Sequence, residues 1–521
     1  MSMTRSELLA RLDDTQKWDV LVIGGGATGL GVAVDSASRG YRTLLLEQAD
    51  FGQGTSSRST KLIHGGVRYL RQGNLSMVLD SLRERSLLLA NAPHLVHKLA
   101  LVVPAYRIWD KGFYGIGLKL YDQLAASKSM GRSQILSRDE TLARLPGVRS
   151  ERLRGGVQFY DGQFDDSRLL ISLVKTLVAQ GGLPLNYMRV KALRRERGKT
   201  TGVVAVDQES GKECLIRAAV VVNATGVFGD SVRRMDNPLG SAVLAPSQGI
   251  HIVLDRSFLP GDTAMMIPKT DDGRLLFAIP WHHRVLIGTT DTQVTNIPLE
   301  PKPLEGEVSY LLEHAARYLE KKPGRADVLS VFAGLRPLVD AAGQKSSAAL
   351  SRDHRVDVLP SGLVSIAGGK WTTYRKMAED TVNQAARVAG LVIRPCITQN
   401  LKLHGWCESS ENTEAELAHY GSDAGELEKL LRQCENGRQK LHPDLPYYRG
   451  EVTWAVRHEM ARIPADILAR RMRALFLDAR ASIEMVTPVA QIMAHELGYD
   501  ADWVSTQQKN YCALAQQYLP A

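Results

Sequence analysis

The stretch "WDVLVIGGGATGLGVAVDSASRGYRTLLLEQ" (18–48) has short unbroken apolar runs at both ends and small residues between them. The runs predict two buried strands, and the middle predicts a glycine turn followed by a helix. Strand-like and helix-like stretches alternate in this way through the first 390 residues, which predicts α/β architecture. From about Thr413 the pattern becomes helical. "ADILARRMRALFLDARASIEMV" carries apolar residues at three- and four-residue spacing. A boundary is placed near Val392, with an extension of unassigned role over 1–17 and an all-helical C-terminal domain over 393–521. Two or three domains is ordinary for 521 residues. Apolar runs such as "LVIGGGATGLGVAV" are too glycine-rich and too short to predict a membrane span.

Charge changes the picture more than composition does. The formal net charge is +9, which suits nucleic acid, an anionic membrane surface or acidic ligands. Without an RRM, zinc-finger or helix-turn-helix signature, nucleic acid is set aside. Cys214, Cys396, Cys407, Cys434 and Cys512 are odd in number and scattered, so neither a metal site nor a disulfide framework is expected. The start, "MSMTRSELLARLDDTQKW", lacks an apolar core, and no secretory signal is expected. These features read as an intracellular, reduced chain.

Gly24, Gly26 and Gly29 fill the GxGxxG pattern at the end of the first strand. The first glycine allows the tight turn, the second lets a pyrophosphate approach the backbone, and the third lets helix meet strand. Glu47 ends the second strand, where a carboxylate accepts hydrogen bonds from ribose hydroxyls. Two distant segments then favour FAD over NAD. "AAVVVNATGVFGDSV" (218–232) runs a strand into small residues, including Ala224 and Gly226, that leave room beside a bound cofactor. "GLVSIAGGKWTTYRKMAEDTVNQAARVAG" (362–390) places a strand, Gly369 in a glycine pair and Lys370 before a helix that Thr372 or Thr373 could cap. A helix N-terminus with Lys370 would stabilise negative charge on a flavin ring. In "GTSSRSTKLIHGGVRYL" (54–70), Thr55, Ser56 and Ser57 offer hydroxyls and amides to the cofactor. Farther along, Gly65 and Gly66 would allow close approach to its ring, and His64 is either a proton-transfer group or a buried, hydrogen-bonded histidine.

These segments, with "GIHIVL", "IPWHHRVLIGTTDT" and "FAGLRPLV", resemble the FAD-dependent respiratory glycerol-3-phosphate dehydrogenases from about Asp19 to Gly390. The C-terminal "EVTWAVRHEMARIPADILARRMRALFLDARA" looks like that family's helical cap, and the length fits a bacterial version. The resemblance implies a two-dinucleotide-binding-domain flavoprotein, with a Rossmann-like FAD domain and a mixed-sheet substrate domain. The FAD parts would span about 18–75, 150–235 and 325–392, and the substrate or membrane-facing parts about 76–149 and 236–324.

Members oxidise sn-glycerol 3-phosphate to dihydroxyacetone phosphate, with the C2 hydrogen facing flavin N5, and pass electrons to a quinone, ubiquinone or menaquinone. They do so on one membrane leaflet, which implies a cytoplasmic protein on the inner face of the cell membrane. Dimers are usual in the family, so a homodimer is expected.

By motif match, Arg336 and Arg352 hold the substrate phosphate, Lys370 sits between flavin and substrate, and Arg68 and Tyr69 extend the pocket. His64 and His251 are the base candidates, which the sequence does not rank; His282 and His283 read as structural or exposed in a turn. Residues 106–132 mix Trp109, Phe113, Tyr114 and Tyr121 with Lys111, Lys119, Lys128 and Arg132, which suits an anionic lipid surface or a buried helix with a wet face. Arg470, Arg471 and Arg473 read as part of a basic face or as solvated. Three other readings stand behind this one. The nearest is an oxidase giving peroxide, which typically carries an insertion absent here. Behind it come an amine or amino-acid oxidase and a non-catalytic FAD-binding membrane-surface protein.

Overall fold

In the computed structural model, which describes residues 4–13, 17–66, 75–125, 130–339, 354–408 and 414–520, the apolar run Trp18–Ile23 is a central parallel strand. Val20–Ile23 pairs with Thr43–Leu46 on one side, and Trp18–Ile23 with Ala218–Asn223 on the other. A strand enclosed on both faces has no solvated side, so its sequence does not alternate. The helix predicted between the first two strands is Ala27–Ser38, buried at Ala27 and from Gly29 to Ala37. It packs between helices Tyr374–Val388 and Asp166–Ala179. Small residues permit this: a Cβ on Gly31 would stand 2.9 Å from the Tyr374 ring.

The first sheet has eight strands in the order His354–Val358, Val364–Gly368, Glu213–Asn223, Trp18–Ile23, Thr43–Leu46, Leu183–Leu185. The antiparallel pair Met188–Glu196 and Lys199–Asp207 joins it through Glu213–Arg217. A second, largely antiparallel sheet of ten strands includes Ser247–Asp255, paired with Arg284–Gly288 on one side and Val328–Arg336 on the other. The loop from Gly54 to Lys61 lies between the sheets and leads into Leu62–Ile63, an edge strand of the second.

Residues 415–518 form helices and connecting loops. Their apolar side chains share a core with Leu99, Val253 and Phe332 of the second sheet, so the helical region is packed onto that sheet. The segment carrying the three arginines is not one regular helix. A π-helical turn, Asp466–Arg471, is followed by Arg473 in a left-handed conformation (φ 69°), which precedes helices Ala474–Leu477 and Ala479–Leu497. Arg470, Arg471 and Arg473 are not solvated. They are 3 %, 1 % and 1 % exposed, because each guanidinium turns inward to a buried carboxylate. Arg470 and Arg471 pair with Asp50, and Arg473 pairs with Asp166. At the other end, helix Arg5–Asp13 is tied down by Arg5, whose Nη2 lies 2.5 Å from Asp207 Oδ1.

Candidate active site

A cavity of about 600 Å³ runs between the two sheets. Its first wall is the glycine turn. Gly24 has φ +112°, and a Cβ there would stand 2.7 Å from Ala224 O, so the tight turn requires glycine. Gly26 faces the cavity beside Ser56, whose Oγ accepts from Ala27 N at 2.9 Å. Gly29 is outside the cavity lining; its Cβ would collide with Gly24 O, so it serves helix–strand contact as expected of the third glycine. The Glu47 carboxylate lines the cavity and accepts from Gly25 N at 2.6 Å and Ala49 N at 2.9 Å. Burial pushes its carboxyl pKa up, against the lowering effect of those two hydrogen bonds. Ala224, Gly226 and Gly369 also line the wall, and a Cβ on Gly226 would meet open space.

The loop Thr55–Ser57 is a 3-10 turn pinned on its cavity side. Thr55 Oγ1 donates to Leu335 O, and Trp371 Nε1 donates to Ser56 O at 2.8 Å. Thr55 and Ser56 line the cavity, whereas Ser57 is 1 % exposed and points away. Thr372 lines the cavity, with its Oγ1 donating to His64 O at 3.4 Å. Thr373 does not line it, and its Oγ1 donates to Lys370 O at 3.4 Å. Neither threonine caps helix Tyr374–Val388 by its side chain, because a 3-10 turn over Trp371–Thr373 precedes the helix. Packing requires the absence of a side chain at Gly65. A Cβ there would collide with Tyr121 Oη, and Gly65 N donates to Asp161 Oδ1 at 3.1 Å.

The second wall carries Arg336 and His251 on one face of the second sheet. Ser247 pairs with Arg336, Gly249 with Gly334 and His251 with Phe332, so the period of two places Arg336 and His251 on the same side. Arg336 Nη2 donates to Thr289 Oγ1 at 3.2 Å and Thr290 O at 2.9 Å, while Nη1 lies 3.4 Å from Asp291 Oδ1. Gly249 leaves the space the guanidinium crosses. His251 is 3 % exposed, stacks on Phe332 at 5.0 Å, and has Nε2 2.9 Å from Thr60 Oγ1. Its Nδ1 is buried without a hydrogen-bond partner among the described residues. Burial first, then the charges of Lys61 and Arg336, pushes its pKa well below 6.5, so the ring is neutral. His64 and Lys370 line the same cavity.

Arg68, Tyr69 and Arg352 lie outside the described residues. His282 and His283 form the turn between Leu276–Trp281 and Arg284–Gly288, as expected, at φ 44° and 58°. Sequence reasoning missed Met188–Val190, Thr60 and Thr289 in the lining. The strand Met188–Glu196 carries no motif, and Thr60 and Thr289 gain their places only from long-range pairing.

The cavity's two walls thus join a glycine turn to a partly exposed cation and a neutral imidazole. The space left by Gly24, Gly26 and Gly226 and the hydroxyls of Thr55 and Ser56 fit a dinucleotide such as FAD. Residues 19–375 match the family of FAD dependent oxidoreductases, and residues 364–503 match the C-terminal domain of alpha-glycerophosphate oxidase. The probable mitochondrial glycerol-3-phosphate dehydrogenase of Caenorhabditis elegans is 39 % identical, over 99 % of this chain and 75 % of the relative. The chain belongs to the glycerol-3-phosphate dehydrogenase family of FAD-dependent oxidoreductases. The human mitochondrial enzyme is 38 % identical over 95 % of this chain and 73 % of its own. The crystal structure of the Bacillus halodurans glycerol-3-phosphate dehydrogenase complexed with FAD superposes with a TM-score of 0.82 at 30 % identity, covering 99 % of this chain and 98 % of that one.

Proposed function

We propose that the protein oxidises sn-glycerol 3-phosphate to dihydroxyacetone phosphate and delivers the electrons to a membrane quinone, ubiquinone or menaquinone. The observation that carries this reading is the placement of Arg336 and His251 on one sheet face, in the cavity that also contains the glycine turn. FAD held by the first wall supplies the two-electron acceptor for the alcohol carbon. Arg336 binds the substrate phosphate, since a guanidinium offers a planar fork for two phosphate oxygens. Lys370, on the same lining, adds a second cation toward a dianion. His251 accepts the hydroxyl proton at Nε2, the nitrogen facing Thr60 Oγ1. Its depressed pKa keeps it deprotonated and therefore able to act as a base below pH 6.5.

The quinone and membrane parts of this reading rest on the surface. Ile108 and Trp109 are 72 % and 68 % exposed at the start of helix Asp110–Ala125, next to the exposed Arg107, and Lys119 on that helix is exposed as well. Exposed apolar side chains with exposed cations on the same segment suit the interface of an anionic bilayer. Tyr121 takes no part, for it is buried and its hydroxyl meets Arg85 and Asp161. Phe113 and Lys128 lie outside what is described. No helix among the described residues is long and apolar enough to cross a membrane, so attachment to the inner face of the cell membrane would be peripheral.

Turnover is tested with a soluble quinone analogue under nitrogen, and dihydroxyacetone phosphate is measured as product. The proposal predicts product formation without oxygen. Turnover that needs oxygen and yields equal hydrogen peroxide would replace the quinone by oxygen. No product with either acceptor would overturn the substrate.

A further inference from the structure

The front of the loop Gly54–Lys61 faces the cavity; its back is held by the C-terminal helical region. Ser57 O accepts from Arg473 Nη2 at 2.9 Å and from Lys61 Nζ at 2.8 Å. Both cations share Asp166: Arg473 Nη2 lies 3.0 Å from Oδ1, and Lys61 Nζ lies 2.6 Å from Oδ2. Ser59 N and Oγ donate to the same Oδ2 at 3.1 and 2.7 Å. Arg473 also donates through Nη1 to Ser167 Oγ at 2.7 Å and Ala469 O at 2.9 Å. A residue at φ 69° with a Cβ is held against its own backbone preference, and these hydrogen bonds hold it there.

Two further contacts from the helical region reach the same stretch of chain. Arg58 Nη2 pairs with Glu300 Oε2 at 2.6 Å, and Tyr518 Oη donates to that oxygen at 3.1 Å. The Arg58 guanidinium lies 5.7 Å from the Phe476 ring and 5.9 Å from the Tyr518 ring. Arg470 and Arg471 hold Asp50, three residues beyond Glu47. Arg473, Phe476 and Tyr518 of the helical region thus all meet the loop Gly54–Lys61, whose Thr55 and Ser56 line the cavity.

We infer that Arg473 is a positioning residue for the cofactor: through Ser57 O and Asp166 it fixes the loop whose Thr55 and Ser56 line the cavity. The C-terminal helical region is then part of the cofactor site although Arg473 is not among the residues lining it. This inference rests on the reading that FAD occupies the cavity. The guanidinium fork lets Nη2 hold Ser57 O and Asp166 while Nη1 holds Ser167 Oγ and Ala469 O, so a lysine, with one nitrogen, would keep the charge and lose one of these two pairs of contacts.

The test compares Arg473→Met in the full chain with Met485→Ala, which removes a buried side chain from helix Ala479–Leu497 of the same region. FAD is titrated into flavin-depleted protein and followed by flavin fluorescence, and thermal midpoints are recorded for both. Arg473→Met is expected to bind FAD at least tenfold more weakly than Met485→Ala, beyond any shared loss of thermal midpoint, with Arg473→Lys between them. Equal FAD affinity in the two variants would overturn the inference. If Arg473→Met does not accumulate as folded protein, hydrogen exchange on the unaltered chain decides. FAD is then expected to slow exchange at 55–61 and at 469–477 together, and protection confined to 55–61 would overturn the inference. An unaltered chain that binds no FAD would remove the proposed function and this inference with it.

Discussion

Arg336 sits beside Asp291, and that pairing sharpens what its loss would do. In Arg336→Ala the phosphate loses its charge-assisted hydrogen bonds and faces the Asp291 carboxylate without Arg336 between them. A cost of about 3 kcal/mol, or roughly a hundredfold in kcat/KM for glycerol 3-phosphate, is expected from the contacts alone. FAD content should stay unchanged, because Arg336 belongs to the opposite wall from the glycine turn. Steady-state kinetics with a flavin assay checks both, and unchanged saturation would remove Arg336 from the phosphate site.

Gly26→Val should give protein without flavin absorption. Even a Cβ there would stand 3.0 Å from Ser56 Oγ, and the branches would enter the cavity. For His251 the expectation concerns pH. A base must be unprotonated, so a pKa held below 6.5 by burial, Lys61 and Arg336 moves the acid limb of kcat/KM below pH 6.5. An acid limb at or above that value would point to another group, with His64 the first alternative on the same lining.

Among the elements, the strand–turn–helix–strand unit was legible because its signals are local: Gly24, Gly26 and Gly29 act within one turn of chain. The back of the loop Gly54–Lys61 was not. Ser57 and Arg473 are 416 positions apart, and three arginines within four positions read as a wet face until their carboxylates are located. Asp50 and Asp166 gave no sign of burial, since nothing near them in sequence predicts a cation. Arg336 and His251 were each found by motif, but their shared face follows from strand register, which the sequence leaves open.

Another long-range pair makes a stability prediction. Arg168, on helix Asp166–Ala179, grips Glu459 with two hydrogen bonds of 2.7 Å, and both side chains are buried. Burial raises the Glu459 pKa, but the charge and hydrogen bonds of Arg168 outweigh it and hold the pKa at about 2. A folded pKa below the unfolded one contributes stability above pH 4.5 that is lost as pH falls toward 2. The difference corresponds to about 3 kcal/mol. Glu459→Gln should therefore unfold earlier in urea at neutral pH and show less further destabilisation through that acid window. Equal acid sensitivity in the two proteins would assign the loss to other carboxylates.

Taken whole, the molecule combines a net charge of +9 with an exposed apolar tip at Ile108 and Trp109. Replacing both by serine should weaken partition onto anionic vesicles roughly tenfold or more, since about 1.4 kcal/mol of lost apolar burial suffices. Added salt should weaken binding of the natural chain as well. Turnover with a soluble acceptor should be unaffected, because neither residue lines the cavity. Vesicle sedimentation at two salt concentrations measures this, and unaltered partition would move the membrane contact elsewhere.

The central claim, a cavity that joins FAD to a phosphorylated secondary alcohol, is tested most directly by a visible spectrum of the purified protein. It is recorded without oxygen before and after addition of glycerol 3-phosphate, with plain glycerol as the comparison. The flavin spectrum should bleach with glycerol 3-phosphate and not with glycerol. A flavin that stays oxidised with both would contradict the substrate, and a protein that takes up no flavin even when FAD is supplied would contradict the cofactor.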